Sequence, residues 1–239
     1  MQKIQGKNIL LVGATGGIGK ETAKLLKNSG ANLYLTTYNK PDVLKEMGEF
    51  LSIPESRLFQ MDVRKFREVE RVSQSIHQEI SQLDILINAS GIGILKPLES
   101  LSPEEFTLSL EINLLGSFHV LKAFLEPMKI QKKGLIIHLP GVLGKTPMAG
   151  SMAYSASKYG LNGMLKSLRE ELKRTDIRIT NLYIGGTDTP FWDTIDLRVQ
   201  KDKFVSAQEA AMSIWFLCQQ IDSGVVSEMV IQPFNHQVI

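Results

Sequence analysis

The chain has 239 residues, 43% of them hydrophobic, with 27 Lys and Arg against 25 Asp and Glu. That length supplies at least one well-buried core, and a net charge of +2 scattered along the chain offers no basic face of the kind that holds nucleic acid. The single cysteine, Cys218, excludes an intrachain disulfide, fits a reducing compartment and reads as a small buried apolar residue within Ile-Trp-Phe-Leu-Cys.

The opening MQKIQGKNILLVGATGG runs from a short apolar segment straight into glycines, which predicts a buried strand and no cleavable signal. No apolar stretch approaches the roughly 20 residues that span a bilayer, so a cytoplasmic protein without a membrane partner is expected. In chain order, strands are predicted over residues 8–12, 32–36, 57–61, 85–88, 134–139, 178–183 and 228–231. Helical patterns fall between them, over 17–29, 41–50, 65–81, 103–130, 152–175 and 206–221. Runs such as Ile9-Leu-Leu-Val12 and Leu135-Ile-Ile137 are apolar without alternation, as in parallel strands covered on both faces. Repeated βα units then predict an α/β fold: a doubly wound parallel sheet, Rossmann-like, of about seven strands with helices on both faces. No linker, charge block or repeat divides the chain, so one domain over residues 1–239 is expected. Ser102-Pro-Glu-Glu105 and Ser206-Ala-Gln-Glu209 mark helix starts through N-cap, first-turn proline and capping-box chemistry.

Between the first strand and first helix lies Gly13-Ala-Thr-Gly-Gly-Ile-Gly19. Glycines permit a tight turn and close backbone approach to a pyrophosphate, and the following helix N-terminus supplies free N–H groups and a favourable dipole. The spacing, G-x-x-x-G-x-G, differs from the G-x-G-x-x-G fingerprint, but its place between strand and helix points to a bound nucleotide. Far downstream, Tyr154-Ser-Ala-Ser-Lys158 places a phenol and an ammonium four residues apart, on one face of a helix. A free tyrosine, with a pKa of roughly 10, is a poor base at neutral pH. A fixed positive neighbour is expected to favour the phenolate and bring that value toward the working range.

Together these segments resemble the short-chain dehydrogenase/reductase family, over about residues 6–232. Asp62-Val63 after the third strand resembles the family's adenine-contacting pair. Asn88-Ala89-Ser90-Gly91 resembles its Asn-Asn-Ala-Gly segment, with Ala89 in place of the second Asn. Asn113, in Glu-Ile-Asn-Leu-Leu-Gly, resembles the helix asparagine that orders a water in a proton relay. Ile184-Gly185 followed by Thr189 resembles a Pro-Gly-x-x-x-Thr segment under the nicotinamide, with Ile for Pro. The resemblance implies Tyr154, Lys158 and Asn113 as catalytic residues. It implies cofactor contacts from Gly13, Thr15, Gly17, Ile18, Gly19, Thr37, Tyr38, Asp62, Val63, Asn88, Ala89, Gly91, Tyr154, Lys158, Gly185, Thr187 and Thr189. Tyr154 would donate a proton to a carbonyl oxygen or take one from an alcohol, and Lys158 would hold the nicotinamide ribose. A homodimer or homotetramer through the long helices is implied as well.

The family's serine after the fifth strand has no counterpart: ungapped alignment to the Tyr154 helix puts Gly141 there, beside Pro140. Losing one donor to a developing oxyanion typically costs roughly 3–4 kcal/mol. Three explanations stand open: another hydroxyl, Ser151 or Thr146, takes over; the substrate needs none; or turnover has been lost and the protein is a nucleotide-binding regulator or scaffold. The strand just before carries His138, read as satisfied by a local hydrogen bond. His77, His119 and His236 form no ligand spacing, and no metal is expected.

The second strand ends Leu35-Thr-Thr-Tyr-Asn-Lys40, with no carboxylate for a ribose 2′-hydroxyl; Asp42 comes only beyond Pro41. Thr37, Asn39 and Lys40 are expected to contact a 2′-phosphate, so NADP(H) is favoured over NAD(H), although the family's usual Arg position holds Tyr38. The segment 186–204 carries Phe191, Trp192, Ile195 and Leu197. These line a pocket or form a short helix that merely packs down; with Leu143, Met148 and Met152 they suggest a small apolar substrate.

Overall fold

The computed structural model describes residues 3–221 and 223–235; His236 lies outside them. Seven parallel strands form one sheet: β1 (Asn8–Val12), β2 (Asn32–Thr37), β3 (Leu58–Gln60), β4 (Ile85–Asn88), β5 (Lys133–His138), β6 (Asp176–Ile184) and, after two short strands described below, β9 (Glu228–Ile231). Their order is β3-β2-β1-β4-β5-β6-β9. Strand polarity is uniform because each crossover contains a helix: α1 (Gly17–Asn28), α2 (Pro41–Phe50), α3 (Phe66–Glu79), α4 (Pro103–Leu110) continuing as α5 (Gly116–Ile130), α6 (Met152–Leu172) and α7 (Ala207–Leu217).

Successive strand residues point to opposite faces, which explains the unbroken apolar runs. Ile9, Leu11, Leu35, Ile87 and Ile137 pack on one face with Leu26 of α1, Leu44 of α2 and Ile214 of α7. Leu10, Val12, Leu86, Ile136 and Ile179 pack on the other with Val69 of α3, Phe124 of α5 and Leu165 of α6. The capping box expected at Ser206 forms, its hydroxyl accepting from Glu209 N at 3.1 Å, and the N-cap expected at Ser102 proves to be a capping box as well, accepting from Glu105 N at 3.1 Å.

Three features depart from the expected elements. Residues 103–130 are one run of helix interrupted by a π-helical turn, Glu111–Leu115. That 28-residue run holds an 18-residue window of mean hydropathy 1.3, long and apolar enough by composition to cross a membrane, contrary to the expectation of no such stretch. In the fold its apolar side packs on the sheet through Val120, Leu121, Phe124 and Met128. The segment after β6 also forms a two-stranded ladder of β7 (Thr187–Asp188) and β8 (Val205–Ser206).

The strand order reverses between β1 and β4. The connections that follow their carboxyl ends leave to opposite sides, and in open α/β sheets the crevice so formed is where ligands bind.

Candidate functional site

The glycine turn lies at that crevice. Gly13 has φ +84°, and a Cβ on it would stand 3.0 Å from the carbonyl oxygen of Ala89 at the end of β4. A Cβ on Gly19 would collide with the carbonyl of Gly13. The helix N-cap, Gly16, has no side chain to cap α1, so the first-turn N–H groups have no side-chain acceptor among the described residues. A backbone-walled turn ending in an uncapped helix suits a dinucleotide pyrophosphate. Asn88 is held by neighbours: its Oδ1 accepts from Ser90 N (3.1 Å) and Ser90 Oγ (2.6 Å), and its Nδ2 donates to Ser117 (3.2 Å).

A cavity of about 750 Å³ opens from this crevice. Eight of the sequence-predicted residues line it: Ile18, Ala89, Gly91, Tyr154, Lys158, Gly185, Thr187 and Thr189. Gly17 borders it, since a Cβ there would meet the Thr189 side chain at 2.5 Å. Thr15, Thr37, Tyr38, Asp62 and Val63 lie apart, at the β2 and β3 ends.

On α6 the pair is formed as the spacing implied: Lys158 Nζ stands 5.4 Å from the centre of the Tyr154 ring. Lys158 is buried and donates to the Leu139 carbonyl at 3.2 Å. The expected electrostatics differ. Burial raises the Tyr154 phenol above its usual value and lowers the Lys158 amine to about 8. Desolvation is the cause in both groups, and it outweighs any help the ammonium gives the phenolate.

Asn113, in the π-helical turn, is fully buried. Its Oδ1 accepts from Ile92 N (2.9 Å), and its Nδ2 donates to Ile92 O (3.0 Å) and Ser157 Oγ (3.0 Å). The amide thus ties the loop after β4 to α6. It does so beside the amine: a Cβ on Gly91 would stand 2.9 Å from Asn113 Oδ1 and 3.4 Å from Lys158 Nζ.

Gly141 lines the cavity with φ +71° and ψ 162°. A Cβ there would lie 3.5 Å from the Tyr154 hydroxyl. Of the two substitute hydroxyls, Ser151 is buried away from the cavity, bonded to Met148 O (2.6 Å) and Ser155 Oγ (2.8 Å). Thr146 lines the cavity, and its hydroxyl has no partner among the described residues.

His138 corrects the expectation of a locally satisfied histidine. It is fully buried, and neither ring nitrogen has a hydrogen-bond partner among the described residues.

At the β2 and β3 ends, Thr37 is 1% exposed and its hydroxyl meets that of Thr15 at 2.7 Å. The residue missed by sequence reasoning is Arg64. Its Nε and Nη2 bond Asp62 at 3.0 and 2.7 Å, its Nη2 donates to Tyr38 Oη at 2.9 Å, and its guanidinium lies 5.3 Å over the Tyr38 ring. This bond holds the Asp62 carboxyl below its usual range. Val63 packs under Gly116 and accepts from His119 Nδ1 at 2.8 Å. The Asp-x-Arg spacing was visible, but nothing local says that the guanidinium turns back to β2.

Over the cavity, Phe191 and Trp192 lie on a 3₁₀ turn, Pro190–Thr194. Phe191 packs edge-on to Tyr154 (5.9 Å) and Trp192 (5.3 Å), and Trp192 on Phe204 (5.1 Å). Trp192 Nε1 donates to Thr187 O at 2.9 Å. Leu143, Met148 and Leu197 join the wall, whereas Ile195 is buried in the fold and Met152 is exposed outside the cavity, against expectation.

The sequence pattern described as short chain dehydrogenase matches residues 7–199. An uncharacterized oxidoreductase of Staphylococcus epidermidis is 28% identical over 233 residues, covering 98% of this chain and 100% of that protein. A 3-oxoacyl-acyl-carrier-protein reductase of Thermotoga maritima is 26% identical over 237 residues, covering 95% and 96%. The solved alcohol dehydrogenase of the archaeon Thermococcus sibiricus, complexed with 5-hydroxy-NADP, superposes with a TM-score of 0.84 at 25% identity, covering 98% of this chain and 99% of that one.

Proposed function

The chain belongs to the short-chain dehydrogenase family, and on that premise we propose that it is an NADP(H)-dependent oxidoreductase interconverting a carbonyl and an alcohol on a small apolar substrate. The observation that carries this reading is the shared cavity, in which Tyr154 and Lys158 face the same space as Ile18 of the glycine turn.

The first turn of α1 and the backbone from Gly13 to Gly19 would hold the pyrophosphate, Asp62 and Val63 the adenine, and Gly185, Thr187 and Thr189 the nicotinamide end. Bound there, the dinucleotide supplies or accepts the hydride. Tyr154 donates its phenolic proton to the substrate carbonyl oxygen, or takes the alcohol proton in the reverse direction. Lys158 holds the ribose hydroxyls and supplies positive charge to the phenolate that forms. Asn113 fixes the π-helical turn against Gly91, and so the wall on which Lys158 rests. Thr146 is the hydroxyl available to the reacting oxygen in place of Gly141. Phe191 and Trp192, with Leu143 and Met148, exclude water and favour an apolar substrate.

Preference for NADP(H) is supported by the missing acid at the end of β2 and by Arg64, a cation at the same place. We read the chain as one dinucleotide-binding domain of a cytoplasmic homodimer or homotetramer; the half-exposed Leu115, Phe118 and Tyr159 of the π turn, α5 and α6 suit such an interface.

The test is a fluorescence titration with NADPH and NADH, followed by a panel of ketones and aldehydes read by loss of NADPH absorbance. NADPH binding with turnover that vanishes in Tyr154→Phe, while binding remains, is the expected result. Tight binding without turnover across the panel would return the protein to the class of nucleotide-binding regulators.

A further inference from the structure

His138 is an anomaly. It ends β5 and is fully buried, yet both ring nitrogens lack a partner among the described residues. Beside it in register on β6 is Asn181, equally buried, whose Oδ1 also lacks a partner. Paired strand residues share a face, so the ring and the amide lie side by side on one side of the sheet. Buried polar groups of this kind are rare in folded proteins unless an ordered water completes them.

α6 covers that face, as its Leu161 and Leu165 pack with Ile136 and Ile179. Lys158 and Asn162 lie one helical turn apart on it; Lys158 reaches the carbonyl of Leu139, the residue after His138, and Asn162 meets Asn181. Asn181 Nδ2 donates to Asn162 Oδ1 and to Tyr183 Oη, both at 3.2 Å. Tyr183 Oη donates to Asn162 Oδ1 at 2.8 Å and lies 3.4 Å from Glu228 Oε1. A polar seam therefore runs through an otherwise apolar layer, from Asn181 and Asn162 through Tyr183 to Glu228 and its cationic neighbours Lys145 and Arg169.

We propose that His138 and Asn181 hold an internal water beneath Lys158, and that His138 is thereby a positioning residue for the amine of the Tyr154–Lys158 pair. The water donates to Asn181 Oδ1 and to the unprotonated ring nitrogen, and accepts from Lys158. These three bonds are the usual complement of a buried water. The Lys158 ammonium has three N–H groups: one goes to Leu139 O, one to this water, and one is left for the cleft. Burial, and secondarily the charge of Lys158, push the imidazole down to about 3, so the ring keeps its acceptor nitrogen throughout the neutral range. An apolar residue at 138 would leave the second N–H of the ammonium without an acceptor, and the amine would shed its proton or turn into the cleft.

The assignment of a positioning role rests on the oxidoreductase reading; the water does not. A crystal structure of the wild-type protein, at a resolution that shows ordered water, is expected to hold one within about 2.7–3.2 Å of a His138 ring nitrogen and of Asn181 Oδ1. A His138 ring bonded directly to protein, or packed dry, overturns the proposal. His138→Leu, which removes a buried polar ring that no protein group among the described residues satisfies, is expected to keep or raise the melting temperature. It should weaken NADPH binding or lower kcat by about tenfold, the loss of one charge-assisted hydrogen bond, and shift the pH profile of Lys158. His138→Gln, which keeps an acceptor, is expected to recover most of that loss. Unchanged NADPH affinity, kcat and pH profile in His138→Leu refute the positioning role. If the wild-type protein neither binds NADPH nor turns over, the oxidoreductase reading has failed, and the water is decided by the crystal structure alone.

Discussion

Gly141 stands where the family resemblance expects a hydroxyl, and replacing it separates two effects that a single variant would confuse. The backbone there has φ +71° and ψ 162°, a region open essentially to glycine alone. Space is not the obstacle, because a Cβ would meet Tyr154 Oη at 3.5 Å and Ile184 O at 3.6 Å, ordinary contact distances. Gly141→Ala should therefore destabilise through backbone strain of about 1–3 kcal/mol, a fall in Tm of roughly 2–12 °C for a chain of this size. Gly141→Ser carries the same strain and adds an Oγ within reach of the oxygen that Tyr154 serves. The informative quantity is thus serine against alanine, not serine against wild type. If a donor is what the site lacks, turnover of generic carbonyls by Gly141→Ser should exceed that of Gly141→Ala by about tenfold or more, part of the roughly 10²–10³ such donors provide. Thermal unfolding by circular dichroism and NADPH absorbance read the two quantities. An alanine variant as stable as wild type would mean that the left-handed conformation is not enforced; equal turnover in the two variants would mean that the hydroxyl is not missing.

Arg64→Gln should weaken NADPH binding by about 10–100-fold, the loss of a charge-assisted contact, with NADH affinity little changed; equal losses for both dinucleotides would instead assign the guanidinium to the shared adenosine. Lys158 lies near 8 in the folded protein against an ordinary 10.5, so between those values the unfolded chain holds a proton that the folded one has released. Stability from this group is accordingly fullest above about pH 10.5 and is lost as pH falls through 8, by up to about 3 kcal/mol. Denaturant titrations should show wild type gaining stability relative to Lys158→Met across that window; parallel curves would show that burial leaves the amine unperturbed. Gly93→Ala would drive a Cβ into the Phe191 ring, and should change KM for apolar carbonyls more than it changes NADPH affinity, as steady-state kinetics and titration would report.

What could be read in advance was what short stretches of chain decide by themselves. All seven strands of the main sheet were located to within about two residues, and apolar runs without alternation, as in Ile9–Val12 and Leu135–Ile137, identified the ones buried on both faces. Ser206 announced its capping box, and Ser102 its N-cap, because the partners lie within one turn. The π-helical turn was invisible: Glu-Ile-Asn-Leu-Leu is ordinary helical sequence, and the turn is bound to Asn113 reaching Ile92, 21 residues back. β7 and β8, two residues each, are too short for any periodicity.

The site divides in the same way. Tyr154 and Lys158 were legible because helical geometry alone puts them on one face, yet their protonation was not. The local view weighs the neighbouring charge, whereas the folded chain removes water from both groups, and that removal moves the phenol up and the amine down. Arg64 was legible as a charge and illegible as a partner, because its reach to Tyr38 exists only once β2 and β3 lie side by side. His138 shows the limit most sharply. Alternation along β5 says that it faces one side of the sheet or the other; only the register with β6 sets it beside Asn181, and only α6 sets both beneath Lys158. An imidazole costly to bury without partners therefore stands one residue before Leu139, whose carbonyl accepts from Lys158. A position selected for packing alone would more economically hold leucine, so the physical penalty of the ring is itself the reason to look for its use there.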